Sequence, residues 1–365
     1  MKLADKLSKI KQFVDLEQKG NVIKVRSITP LFQNLLNNVR EEYLKFHSTR
    51  DSPSIPNFFI DSTGEKEALD HAAYLYNSKF TDAYMKLKVE QELPFSITEE
   101  VKEKHNAIEC IDDGSLRVIF PKRYILRTSY FVSGSFSRES FYHMQRQHKI
   151  FWMKHGSYPG KYRISDQKIF PLYKMANIQS SVTDYTFNIE GLKLFSLKDC
   201  SDKDIRENFV AKIPNKKKEI IPDVIKTVVD LQTASMAFLF DALSLTDYYT
   251  AFHRRIAPFQ LSIIPNGSRE NAKKLDDLAR YIELLIIESE PKIKVLNDLK
   301  TRNYDESEFI KQCSFHDKMG IPYNILIDER SLDEGFLKLR NRNTTLSEKI
   351  HLSDVTNYLI KIFTS

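Results

Sequence analysis

Glycine is scarce in this chain: ten glycines and thirteen prolines in 365 residues leave little material for long flexible linkers. No apolar run approaches the roughly 20 residues that a membrane-spanning helix requires. The three cysteines, Cys110, Cys200 and Cys313, lie far apart without a CxxC pair. They form neither a zinc site nor a disulfide framework, and they read as small buried hydrophobes in a reducing compartment. Common catalytic signatures are missing as well: GxxxxGKS/T, GxGxxG, HExxH and GxSxG do not occur. Ser133-Gly134-Ser135 offers one glycine where a phosphate-cradling loop needs several, so it reads as a turn. His143 and His148 are five apart, off the spacing that puts two ligands on one helix face. With His155 they read as packing groups or polyanion contacts, and no metal or cofactor is expected.

What is present is the balance of a folded soluble protein, 41% hydrophobic and 28% charged, long enough for two domains. The net charge of +6 is unevenly placed. Between Gly114 and Ser165 stand Arg117, Lys122, Arg123, Arg127, Arg138, Arg146, Lys149, Lys154, Lys161 and Arg163, against the single acid Glu139. That window carries +9 and leaves −3 for the rest of the chain, a concentration that points to a polyanionic partner. Aromatics interleave with the charge, Tyr142, Tyr158 and Trp152 among them. Basic groups neutralise phosphates and exposed rings stack on bases. Phe141, Met144, His148, Phe151 and Trp152 nevertheless recur at helical spacing, the mark of a core face. A second basic cluster, Lys216-Lys217-Lys218, sits between Pro214 and Pro222 as a loop.

The C-terminal third reads most clearly. Strands are expected at Phe259–Ile264, Ile293–Leu296, Ile321–Asp328 and Phe336–Arg340. Helices follow Pro265-Asn266-Gly267, span Glu306–Lys318 up to a C-cap at Gly320, and start from Ser353. This alternation predicts an α/β domain with a mostly parallel sheet of five or fewer strands. Upstream, a helix over 28–47, a strand over Asp223–Leu231 and a helix over Ala234–Leu243 are expected. Val182–Ile189 and Leu192–Leu197 read as a hairpin turning at Glu190-Gly191. Helices around an antiparallel sheet, an α+β domain over 1–250 followed by the α/β domain over 251–365, is the economical division. At the N-terminus Leu3, Leu7, Ile10, Phe13 and Val14 share a helical face. A mitochondrial transit peptide has such a face, but so has an ordinary surface helix, and Asp5 and Asp15 interrupt the former pattern.

Several stretches resemble the accessory subunit of DNA polymerase gamma, the mitochondrial replicase. One is Ser140-Phe141-Tyr142-His143-Met144-Gln145-Arg146, continuing through Lys149-Ile150-Phe151-Trp152-Met153 to Tyr162-Arg163-Ile164. A second is Phe252-His253-Arg254-Arg255-Ile256-Ala257-Pro258. The most specific runs from Met319-Gly320-Ile321-Pro322-Tyr323 through Leu339-Arg340-Asn341-Arg342-Asn343-Thr344 to Ile350-His351-Leu352-Ser353-Asp354-Val355. The similarity covers roughly residues 115 to 365.

The resemblance implies a class II aminoacyl-tRNA synthetase-like domain followed by an anticodon-binding-like domain, without synthetase chemistry. Where class II synthetases carry glycines and a phosphate-holding arginine, this chain has Ala234, Met236 and Ala237, and alanine makes no charge-assisted bond to phosphate. The resemblance further implies a non-catalytic processivity factor in the mitochondrial matrix nucleoid. Its partners would be the polymerase catalytic subunit and primer-template DNA. Longer family members dimerise through an inserted helical pair; here Arg127–Ser140 runs almost directly into the next helix, which implies a monomer paired one-to-one with the catalytic chain. Candidate DNA contacts are Lys122, Arg123, Arg127, Arg146, Lys149, Lys154, Lys216, Lys217 and Lys218. Candidate partner contacts are His253, Arg254, Arg255, Arg340 and Arg342. An RNA- or tRNA-binding module of synthetase descent is the alternative.

Overall fold

The computed structural model describes residues 9–19, 22–48, 55–61, 78–104, 117–182, 185–200, 202–214, 218–298 and 306–364. The chain opens with β1 (Val14–Lys19), β2 (Val22–Ile28), α1 (Pro30–Ser48), β3 (Asn57–Asp61), α2 (Ser78–Glu90), β4 (Phe95–Lys104) and β5 (Arg117–Ile119). It continues through β6 (Lys122–Val132), α3 (Ser137–His155), β7 (Tyr162–Ile164), β8 (Lys168–Ile169), β9 (Tyr173–Val182) and β10 (Tyr185–Ser196). Then come α4 (Lys203–Asn208), β11 (Ala211–Lys212), β12 (Glu219–Ile220), β13 (Asp223–Asp230) and α5 (Leu231–Ala242). The C-terminal part holds β14 (Leu261–Pro265), α6 (Ala272–Ser289), β15 (Val295–Leu296), α7 (Glu306–Met319) and β16 (Tyr323–Ile327). It ends with α8 (Glu329–Glu334), β17 (Phe336–Asn341), β18 (Ser347–His351) and α9 (Val355–Thr364).

The main sheet runs β3-β4-β6-β13-β10-β9-β7, with β8 also along β9. Its pairings are antiparallel except β3 with β4. Strand side chains alternate between faces, and here each face has its own core. Leu126, Tyr130, Ile178, Leu192, Ile225 and Val229 meet α1, α3 and α5 on one side. Phe95, Ile97, Phe131, Phe195 and Val224 meet α2 and α4 on the other. Helix α1 starts where Thr29 caps the Phe32 amide and Pro30 supplies the first helical φ. Helix α5 starts at Asp230, whose carboxylate accepts from the Gln232 and Thr233 amides. The expected α3 core face holds: Phe141, Met144, His148, Phe151 and Trp152 are all buried.

Three expectations are corrected. Glu190-Gly191 is not a turn: β10 is continuous, with a bulge between Asn188 and Glu190, and its partner in the hairpin is β9. Gly191 has no left-handed φ, and Glu190 is drawn into the core by three hydrogen-bond donors. The C-terminal sheet, β15-β14-β16-β17-β18, is evenly mixed rather than mostly parallel. Its two parallel pairings are balanced by two antiparallel ones because β17 and β18 form a hairpin. Strand β18, Ser-Glu-Lys-Ile-His, escaped the sequence reading because only Ile350 faces inward. Finally, Ser353 does not cap the last helix: α9 begins at Val355, after a 3-10 turn over Leu352–Asp354 that is capped by His351, whose Nδ1 accepts from the Ser353 amide.

Gly320 caps α7 as expected, at φ 85°. At the N-terminus residues 1–8 lie outside the described residues; Ile10, Phe13 and Val14 are buried, and Val14 opens a strand. Cys313 is buried, and burial pushes its thiol up to about 11. Cys200 is half-buried, and Cys110 lies outside the described residues. Among the described residues no helix is long and apolar enough to cross a membrane.

Candidate nucleic-acid and partner surfaces

The basic window separates into cations that fold the protein and cations that face water. Arg127 is 5% exposed, and its guanidinium lies 3.6 Å from the equally buried Glu99 across the β4–β6 pair. It is therefore no DNA contact, because a group held inside the sheet cannot reach a phosphate. Arg123 donates to Asp230 at 2.9 Å and so braces the α5 cap. Lys161 sits 3.5 Å from Asp241, a buried carboxylate that also accepts from the Ser157 and Tyr158 amides. Lys122 is exposed at the start of β6, and Lys218 is exposed beside β12. Lys216 and Lys217 lie outside the described residues.

Arg146, Lys149 and Lys154 do not share a face. At about 100° per residue, Arg138, Tyr142, Arg146 and Lys149 fall on one flank of α3, while Lys154 falls on another. Lys154 lines a cavity of about 1210 Å³ between α1 and α3, walled by Phe46, Ile55, Met144, Ile150 and Phe151. Tyr142 donates to Gln167, so the chain leaving α3 runs back along the Arg138–Arg146 flank. Arg163 and Lys168 thereby join that flank; both are exposed. Arg138 and Arg163 belong to the basic window but not to the candidate contacts, and Lys168 lies outside the window; the return of the chain from α3 to β7 and β8 puts them on one flank.

The expected partner contacts are mostly internal. Arg340 makes a two-pronged pair with Asp317, both bonds 2.8 Å. Arg342 is 2% exposed. It donates to the Thr250 and Gly320 carbonyls at 2.8 Å and to the Phe252 carbonyl at 3.0 Å. This clamp ties the segment before β14 to the end of α7 and of β17, and a planar fork suits it because it can satisfy several acceptors at once. His253 is half-buried against His155, with ring centroids 5.4 Å apart. Burial, then the positive neighbours His155, Arg254 and Arg255, lower its pKa to about 4. Arg254 is half-buried, and Arg255 lies 3.6 Å from Glu42. Burial pushes Glu42 up, but the bond to His155 and the charges of Lys45 and Arg255 hold it below its ordinary range.

Ala234, Met236 and Ala237 are wholly buried in α5, within the larger core. Among the described residues no group of acids, histidines and cysteines could hold a metal.

Comparison with known proteins bears on these surfaces. The anticodon binding domain family matches residues 260–362. The mitochondrial DNA polymerase subunit gamma-2 of Drosophila melanogaster is 32% identical over 249 residues, 65% of this chain and 66% of that protein. The corresponding Xenopus laevis protein is 23% identical over 324 residues, 82% of this chain and 66% of that protein. A glycine--tRNA ligase of Alkaliphilus oremlandii is 27% identical over 203 residues, 51% of this chain and 41% of the ligase. By these similarities the chain belongs to the family of the DNA polymerase gamma-2 subunits, with glycine--tRNA ligases as wider relatives.

Proposed function

We propose that this chain is the non-catalytic accessory subunit of the mitochondrial DNA polymerase, binding the catalytic subunit and strengthening its hold on primer-template DNA. The observation that carries this reading is the similarity to the Drosophila gamma-2 subunit, 32% over 249 residues. The buried alanines of α5 support the absence of synthetase chemistry, since Ala237 occupies the place of a phosphate-holding arginine and has no route to a nucleotide. The mitochondrial names of the relatives support a mitochondrial location, with the matrix nucleoid as its site. The division into residues 1–250 and 251–365 is supported by the separate cores of the two larger sheets, although Phe252, Ile256 and Ala257 pack in the first of them. Between β6 and α3 only Ser133–Phe136 intervene, which supports a monomer paired one-to-one with the catalytic chain.

The C-terminal domain is the proposed dock. It is nearly neutral, with 18 basic and 17 acidic residues from His253 onward. Its α6 turns Tyr281, Leu284 and Ile287 outward as an apolar row, suited to the hydrophobic centre of a protein interface. Co-purification with a mitochondrial polymerase catalytic chain, and longer products in its presence, are the expected results. Failure to co-purify, or stoichiometric aminoacyl-adenylate in ATP–pyrophosphate exchange, would reject the proposal. The glycine--tRNA ligase similarity favours a second reading, an RNA-binding module, which would instead bind tRNA with no effect on the polymerase.

A further inference from the structure

The cations of the basic window divide by partner, and the division has a location. Arg123, Arg127 and Lys161 each have a carboxylate within ion-pair distance. Among the described residues Arg138, Arg146, Lys149, Arg163 and Lys168 have none; Lys149 is half-buried and the other four are exposed. All five belong to one surface, the outer flank of α3 and the β7–β8 edge of the main sheet, joined where Tyr142 meets Gln167. Asp166 is the one acid within that edge segment. Five cations held together with a single acid among them repel one another, and an anionic ligand removes that repulsion.

The same surface exposes flat rings and apolar groups. Tyr142 is 37% exposed, with the Arg138 guanidinium 6.0 Å from its ring centroid. From the last residue of β8 into β9 the chain turns through Ile169, Phe170 and Leu172, exposed by 74%, 38% and 50%. Phe170 stacks on Tyr173 at 4.5 Å and 23° between planes, and Lys193 Nζ lies 5.2 Å from that Tyr173 ring. Phe170 is thus held flat by a ring behind it. A duplex offers phosphates to such a surface but hides its base faces, whereas a single strand offers both. We infer that the α3 flank and the β8–β9 turn form a binding surface for an unpaired nucleic-acid strand, phosphates on the five cations and bases on Tyr142 and Phe170. The inference deepens the nucleic-acid part of the proposed function but needs no polymerase.

The test uses the full chain alone and fluorescence anisotropy with a labelled dT 20-mer and a 20-base-pair duplex. The single strand should bind more tightly at equal salt. The double substitution Tyr142→Leu, Phe170→Leu should weaken the single strand on the order of tenfold per lost platform and leave the duplex unchanged. Arg138→Ala, Arg146→Ala and Arg163→Ala together should flatten the single-strand salt slope by about two units, some 0.7 per lost phosphate contact. Both sets of positions are exposed, and unchanged melting temperatures would confirm intact folding. Tighter binding of the duplex, or ring substitutions that change both ligands alike or neither, would overturn the inference. Co-purification separates this inference from the proposed function. Loss of oligonucleotide discrimination with the catalytic chain still bound rejects the inference alone, and the converse rejects only the polymerase reading.

Discussion

Glu190 is nearly sealed from water, so its oxygens depend for hydrogen bonds on the donors that the fold aims at them. Tyr43, His148 and Trp152 each come to 2.6 Å, the first two on Oε1 and the third on Oε2. The bulge in β10 is the backbone's means of turning this side chain inward. Glu190→Gln keeps the shape but sets an amide N–H₂ against at least one existing donor, and Trp152→Phe strips Oε2 of its donor. Each is expected to cost about 2 kcal/mol or more, the desolvation cost of a buried group left unsatisfied, read as a lower denaturation midpoint. Titration provides a second prediction at this scale. Burial lowers the pKa of His316 and of His253 to about 4, against about 6.5 for the free side chain. Between those values the unfolded chain binds more protons, so stability must fall as pH drops from about 6.5 towards 4. Melting temperature against pH should show this loss, and His316→Gln should flatten the profile. A profile unchanged by the substitution would count against it.

At the scale of elements, the helices were legible because their apolar stripes repeat every three or four residues. The misread places are those where a polar residue was recruited inward or an edge faces water. Glu190-Gly191 has the composition of a turn, and nothing local reveals the three donors waiting for it. Strand β18 buries a single residue, too little for an alternation to be seen. The basic surface was half legible: the charge excess was plain, but sorting Arg127 from Arg138 required knowing that Glu99 lies across the ladder. The faces of α3 separate three residues, Arg146, Lys149 and Lys154, that the sequence grouped as candidate contacts. Arg146 and Lys149 share the outer flank, while Lys154 points to the cavity. Arg146→Ala with Lys149→Ala should weaken binding of the single strand several-fold and reduce its salt slope by about 1.4 units, some 0.7 for each of two lost contacts. Lys154→Ala should leave both unchanged in the same anisotropy titration.

For the molecule as a whole the question is whether the C-terminal domain moves as one body with the rest. Besides the Arg342 clamp, Asn38 of α1 donates to the Ala257 carbonyl at 2.6 Å and accepts from Lys294 at 2.5 Å. Phe13 meets Phe252 edge-on at 5.8 Å, and Thr250 donates to the Lys318 carbonyl. Arg342 is the most exposed to loss among these because it is a buried cation with no carboxylate in the clamp. Burial lowers its pKa to about 10, still high enough to keep it charged near neutrality. Arg342→Ala would leave three carbonyls at the junction without that donor, and Arg342→Lys would not restore the fork. The intact chain is expected to melt in one cooperative transition. Arg342→Ala should separate it into two and speed proteolysis between residues 244 and 258. If the C-terminal domain holds the catalytic chain while the basic surface holds nucleic acid, the variant should keep its affinity for the catalytic chain in pull-downs. It should nevertheless fail to support long products, because a loosened hinge no longer presents both surfaces in register. A variant that melts in one step and supports full-length synthesis would show that the coupling does not run through Arg342. A variant that loses the catalytic chain altogether would place the dock across both domains.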